Sequence, residues 1–122
     1  TKLEYVIDMV ETYGYAMLNS GAEKEAMSFV NIYDEFGDSA DFKFLMGIIY
    51  MKNGLFDNAV KEFKKAVLYK DCKVEGVNSY QAYYNIGVIY ECLGYKDKAL
   101  EYYEQCGDYE NAQNREAYIK NN

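Results

Sequence analysis

Apolar residues recur along the chain at the spacing of one helix face, and small or flexible residues interrupt them at regular intervals. Apolar positions three and four residues apart indicate amphipathic helices. The segments with this pattern are residues 2–19, about 22–36, 39–53, about 56–70, about 79–93, 96–106 and about 109–120. Glycines end several of them, because glycine adopts the left-handed conformation that closes a helix at little cost. The pattern therefore predicts an all-α chain.

The same periodicity predicts which side chains face inward. In the first helix these are Leu3, Val6, Ile7, Val10, Tyr13, Gly14 and Met17. In the second they are Ala26, Phe29, Val30 and Tyr33. In the third and fourth they are Met46, Gly47, Tyr50, Ala59, Val60, Phe63, Ala66 and Val67. The charged residues between them are expected on a solvated outer surface.

Three pairs of small residues repeat in step along the chain. The distances from Gly14 to Gly47, from Gly21 to Gly54 and from Ala26 to Ala59 are each 33 residues. The next distances, to Gly87, Gly94 and Ala99, are each 40 residues. An insertion over residues 71–78 accounts for the longer interval. The spacing predicts one domain, 1–122, with helical hairpins at about 7–38, 40–71 and 80–108 and a capping helix at about 109–120. A single hairpin cannot cover its own apolar faces, so neighbouring hairpins are expected to stack.

These positions resemble the tetratricopeptide repeat (TPR) family, whose unit carries small and aromatic residues at fixed offsets. The second hairpin has Gly47, Tyr50, Ala59, Phe63 and Ala66, and the third has Gly87, Tyr90, Ala99, Tyr103 and Cys106. The first hairpin matches at Gly14 and Ala26 but has Met17, Val30 and Tyr33 where aromatic, aromatic and alanine are usual. The resemblance implies a right-handed α-solenoid that binds a protein or peptide in a concave groove.

The resemblance also implies which residues line that groove. The partner-binding positions it gives are Tyr15, Leu18, Phe44, Ile48, Met51, Tyr84, Val88 and Glu91, and the flanking groove positions include Asp8, Glu11, Asp41 and Gln81. The lysine, asparagine and arginine that grip a C-terminal carboxylate in some members are replaced here by apolar residues. A large apolar side chain gains roughly 1.5–3 kcal/mol on full burial, so an occupant of the groove is expected. The candidates are the final helix, a second copy of the chain, a missing parent domain, or an amphipathic partner helix.

A narrower resemblance covers the third hairpin and the loop before it. Residues 75–80, 82–91, 102–103 and 106–109 are similar to the repeat tail that follows the catalytic domain in some bacterial family-2 glycosyltransferases. This resemblance implies that the chain is the accessory, non-catalytic end of a longer enzyme, where it positions the acceptor or mediates dimerisation. The chain begins at Thr1 without a methionine, which also favours a piece of a longer polypeptide.

Composition limits the possible partners. The net charge is −7, and it is unevenly distributed: residues 1–38 carry eight acidic and two basic side chains, whereas residues 39–78 carry five and seven. An acidic chain is repelled by a phosphate backbone, so nucleic acid is not expected as a partner. No apolar run approaches the roughly 20 residues that span a bilayer, so no membrane span is expected.

Candidate chemistry is sparse. The chain has no histidine, which removes the commonest metal ligand and general base, and it has none of the common nucleotide-binding or hydrolase motifs. The nearest acidic pairs, Glu23 with Glu25 and Glu101 with Glu104, are expected on outer helix faces. Cys72, Cys92 and Cys106 are an odd number of widely spaced thiols, which favours a reducing, cytoplasmic environment. We therefore expect no enzyme activity in these residues, no cofactor and no metal.

Overall fold

The computed structural model describes all 122 residues, and the chain is helical with no β-strand. Its helices are α1 (Lys2–Asn19), α2 (Glu23–Ala26), α3 (Tyr33–Phe36), α4 (Ala40–Lys52), α5 (Phe56–Ala66), α6 (Tyr80–Cys92), α7 (Lys96–Glu104) and α8 (Glu110–Lys120). A 3-10 helix, Met27–Ile32, joins α2 to α3. The all-α prediction is confirmed, and the stacked helical hairpins form an α-solenoid. No helix combines the length and the apolar character needed to span a membrane.

Close helix contacts at two glycines account for the regular hairpins. In α4 a Cβ atom added to Gly47 would lie 2.5 Å from the Phe63 ring of α5. In α6 a Cβ atom added to Gly87 would lie 2.6 Å from the Tyr103 ring of α7. Each aromatic ring therefore occupies the space that a side chain on the glycine would need. The pairing of a glycine with the aromatic residue of the facing helix recurs with the predicted spacing.

The first hairpin departs from the predicted helix over about 22–36, because Met27–Ile32 is a 3-10 helix. A 3-10 helix has three residues per turn, so a side chain lies directly below the one three positions earlier. Phe29, three residues after the buried Ala26, consequently takes the place that Phe63 holds four residues after Ala59. Its ring lies 2.9 Å from a Cβ added to Gly14. The prediction that Val30 faces inward is wrong, since Val30 is 44% exposed.

Several apolar side chains of α1 also differ from the prediction. Leu3, Val6 and Tyr13 were expected inward but are exposed. Residues 33 positions later than Met9 and Tyr13 are Phe42 and Met46, which are fully buried beneath the first hairpin. The corresponding face of α1 is not covered by another helix of the chain. The periodicity identified apolar positions correctly but could not tell which of them the stacking would cover.

The buried side chains form three clusters along the solenoid. Phe29, Phe42 and Met46 belong to the cluster between the first and second hairpins. The central cluster joins the second hairpin to the third and includes Val77 from the loop that connects them. The third cluster lies beneath α8 and includes Tyr103. Helix α1 packs against α4, and α4, α5 and α6 share the central cluster, so the first helices of the three hairpins are held in a fixed order along the solenoid.

Candidate functional site

The candidate site is the inner face formed by α1, α4 and α6, on which equivalent positions repeat from hairpin to hairpin. We divide this face into two parts. The apolar strip consists of Tyr15, Leu18, Ile48, Met51 and Val88. The acidic corner consists of Asp8, Glu11 and Asp41.

All five side chains of the apolar strip are half-buried, so each keeps part of its surface open. Tyr15 and Leu18 pack against the cluster between the first and second hairpins. Ile48 and Met51 pack against the central cluster, and Val88 packs against the third. Each of the three hairpins thus contributes half-buried apolar side chains to the strip.

The loop between α5 and α6 covers the other part of the inner face. The backbone N–H groups of Lys73 and Val74 donate to the two carboxylate oxygens of Asp41, at 2.9 and 3.0 Å. The same loop places Val77 in the buried cluster that contains Phe44. Phe44, which the sequence suggested as an anchor for a partner, is only 6% exposed. The chain itself therefore covers this position.

Lys73 ties the loop to α1 as well. Its ammonium group donates to Asp8 Oδ1 at 2.8 Å and to Glu11 Oε1 at 2.6 Å. Sequence reasoning missed this contact, although a signal was present. Asp8, Glu11 and Asp41 lie on the inner faces of neighbouring helices, and the inserted loop carries a lysine that could reach them.

The final helix and the residue before it cover part of the inner face of the third hairpin, at Tyr84 and Glu91. Arg115 of α8 binds Glu91 with its guanidinium fork, Nε donating to Oε1 at 3.1 Å and Nη2 to Oε2. The Tyr103 hydroxyl donates to Glu91 Oε1 at 2.7 Å. The Tyr109 ring packs edge-on against Tyr84, with centroids 5.4 Å apart. One of the occupants suggested by the sequence, the final helix, thus lies against Tyr84 and Glu91.

Electrostatics differ between the two glutamates of the inner face. Hydrogen bonding from Arg115 holds the pKa of Glu91 below its ordinary value, against the opposing effect of burial. Burial raises the pKa of Glu11, and the hydrogen bond from Lys73 only partly offsets it. Burial also raises the pKa of Tyr15 well above its usual range, helped by the nearby carboxylates of Glu11 and Asp41. Glu91 is thus a satisfied carboxylate, whereas Glu11 is an incompletely satisfied one.

The arrangement suits binding by surface contact. The apolar strip can take up apolar side chains, and the acidic corner can hold a cation such as the Lys73 ammonium. No set of three or more cysteine, aspartate and glutamate side chains is placed to hold a metal ion.

The tetratricopeptide repeat family model matches residues 40–71 and 80–112. These segments contain α4 to α7 and the start of α8, and together they cover just over half of the chain. No curated protein shows a significant match to the sequence.

Proposed function

Because the chain belongs to the tetratricopeptide repeat family, we propose that it is a non-catalytic module that binds an apolar segment of a partner protein along the apolar strip. Repeats of this family generally mediate protein–protein interaction or scaffolding. The loop and α8 occupy the rest of the inner face. The strip is therefore the part of that face left for a partner.

The observation that supports this proposal is that equivalent positions of the three hairpins carry half-buried apolar side chains. Tyr15, Ile48 and Val88 occupy equivalent positions, and Leu18 and Met51 occupy the equivalent positions one turn later. Each side chain is half-buried, so contact with a partner would remove further apolar surface from water. Full burial of such a side chain stabilises by roughly 1.5–3 kcal/mol relative to full exposure, so each would contribute a fraction of that amount.

The spacing of the helices sets the length of the partner segment. Helices in direct contact lie about 8–10 Å apart, so three first helices at that spacing would give a strip of about 16–20 Å. An extended segment covers that distance with about five or six residues. A helical segment needs about 11–13 residues. A displayed library of 12-residue peptides accommodates both.

We expect peptides selected from such a library to depend on the strip. Binding of a selected, fluorescein-labelled peptide is measured by fluorescence anisotropy with the wild type, Ile48→Asp and Met51→Lys. Both substitutions should weaken binding at least tenfold, which corresponds to about 1.4 kcal/mol. The matched control is Leu68→Asp, which places the same charge on a leucine that is 82% exposed beyond α5. Its affinity should stay within twofold of the wild type.

Circular dichroism distinguishes lost binding from lost folding, and all three variants should keep the helical spectrum of the wild type. The proposal is contradicted if Ile48→Asp and Met51→Lys bind the selected peptides as tightly as the wild type. It is also contradicted if Leu68→Asp weakens binding as much as they do.

Charge favours a different protein over a second copy as the partner. The chain carries a net charge of −7, and most of the excess lies in residues 1–38, which contribute two of the five strip residues. Two such surfaces would repel each other at low ionic strength. Sedimentation equilibrium should therefore find a monomer. A dimer that dissociates in Ile48→Asp would instead identify a second copy of the chain as the occupant of the strip.

The association with a glycosyltransferase stays a prediction from the resemblance of residues 75–109. It places the module beside a catalytic domain in the same polypeptide, where it would position the acceptor or pair two enzymes. The encoding gene tests it directly. A nucleotide-sugar-binding domain upstream of Thr1 would support the prediction, and an unrelated upstream domain would contradict it.

A further inference from the structure

The acidic corner surrounds a single cation. Asp8 and Glu11 lie one helical turn apart on α1, and both accept hydrogen bonds from the Lys73 ammonium group. Asp41 on α4 accepts the backbone N–H groups of Lys73 and Val74. The corner thus binds one basic side chain and the main chain of two successive residues. The chain's own loop occupies it.

Glu11 is incompletely satisfied by this occupant. The residue is only 8% exposed, and its Oε1 atom accepts a hydrogen bond from Lys73. Its Oε2 atom is buried and has no hydrogen-bond partner. Buried carboxylate oxygens in folded proteins are nearly always hydrogen-bonded, because an unpaired one has lost its water without compensation. The carboxylate of Glu11 therefore has the capacity to accept one more hydrogen bond, at Oε2.

A guanidinium group supplies that second donor. An ammonium group acts as a point charge, whereas a guanidinium presents two parallel N–H groups that match both oxygens of a carboxylate. The chain already uses this pairing elsewhere on the inner face, where Arg115 binds both oxygens of Glu91. An arginine at the position of Lys73 would satisfy Oε1 and Oε2 of Glu11 together.

The corner is accessible and strongly negative. A cavity of about 500 Å³ adjoins it, with Asp8, Asp41 and Lys73 in its wall. The further carboxylates lining this cavity are Glu4, Glu35, Asp38 and Asp71. The Lys73 and Asp8 side chains are both exposed on one side. A basic segment of a partner can therefore approach Asp8, Asp41 and the Lys73 side chain that covers Glu11 through an acidic opening.

We propose that the acidic corner is a receptor for an arginine of the partner segment, and that Lys73 is a resident substitute which this arginine displaces. The inference rests on the proposed function, because the arginine belongs to the same segment that crosses the apolar strip. Tyr15, one turn after Glu11 on α1, connects the corner to the strip. The partner segment is thus apolar with one arginine at the end that reaches α1.

Two tripeptide probes test the preference for arginine. Lys73→Ala in the 122-residue chain removes the ammonium group that occupies the corner. Acetyl-Ser-Arg-Val-amide and acetyl-Ser-Lys-Val-amide are then titrated into this variant, and binding is followed by nuclear magnetic resonance of its backbone amides. The arginine peptide should bind at least fivefold more tightly than the lysine peptide. Adding Glu11→Gln to Lys73→Ala should abolish the preference, because the amide no longer accepts at both atoms. Equal affinity of the two peptides for Lys73→Ala would overturn the proposal.

A stability measurement keeps the test decisive if Lys73→Ala folds poorly. Lys73→Arg should melt at a higher temperature than the wild type, and this gain should disappear in Lys73→Arg with Glu11→Gln. A melting temperature of Lys73→Arg at or below that of the wild type would contradict the proposal. Leu68→Asp, outside both the corner and the strip, should leave the tripeptide affinities unchanged. The strip is tested separately by Ile48→Asp with the selected peptides, so failure of the corner and failure of the apolar strip remain distinguishable.

Discussion

Alanine substitutions at the adjacent residues Phe29 and Val30 test the shifted packing of the first hairpin. The ring of Phe29 is 5% exposed, contacts Gly14 and stacks 6.3 Å from Phe42. Removing a buried phenylalanine side chain costs about 3–5 kcal/mol. Val30 is exposed, so Val30→Ala should cost less than about 0.5 kcal/mol. If the regular repeat register held instead, Val30 would be buried and its truncation would cost about 2 kcal/mol.

Urea unfolding followed by far-ultraviolet circular dichroism gives both free energies of unfolding. Phe63→Ala in the regular second hairpin is the control, because its fully buried ring holds the same place against Gly47. Phe29→Ala should destabilise the chain about as much as Phe63→Ala. A larger loss for Val30→Ala than for Phe29→Ala would refute the assignment of Phe29 to the core and the role given to the 3-10 helix.

Three further predictions follow from burial and charge. Met46→Ala should cost about 2–5 kcal/mol of unfolding free energy, whereas Met9→Ala, at an equally apolar but 56% exposed position of α1, should cost under about 0.5 kcal/mol in the same urea assay. Burial raises the pKa of the Cys106 thiol to about 11, whereas Cys92 is exposed. Iodoacetamide at pH 8 should therefore alkylate Cys92 much faster than Cys106, which peptide mass spectrometry measures. Equal alkylation rates would contradict the burial of Cys106. Arg115 lowers the pKa of Glu91, and a carboxyl with a lowered folded pKa stabilises the fold above its unfolded pKa and loses that contribution as the pH falls. Arg115→Ala should therefore reduce the loss of stability between about pH 5 and about pH 3. An unchanged pH profile would contradict the role of the ion pair.

The second and third hairpins could be predicted because the residues that specify them lie close together in the sequence. Glycine and alanine positions specify where two helices touch, and their offsets located the second and third hairpins. The first hairpin was predicted less well, since its aromatic residue stands at Phe29 instead of position 30. A shift of one residue changes the buried side chain but leaves the apolar composition of the segment almost unchanged. Periodicity alone therefore could not identify the 3-10 helix.

The candidate site could be predicted only in part, for a different physical reason. Equivalence between repeats identified the inner-face positions, and the final helix was among the suggested occupants. The contacts of Lys73 with Asp8 and Glu11 join residues more than 60 positions apart. Such pairings depend on how a loop folds over the stacked hairpins, and the spacing of apolar residues along a helix does not predict them. For this reason Phe44 was expected to be open, whereas the connecting loop covers it.

Methyl nuclear magnetic resonance of the chain with a selected peptide tests the central claim most directly. Leu18, Ile48, Met51 and Val88 all carry methyl groups, so four of the five strip residues report on binding. Their methyl signals should shift on titration, while those of the exposed Leu68 should not. Shifts confined to Leu68 and the other outer positions, with the four strip signals unchanged, would contradict binding through the inner face.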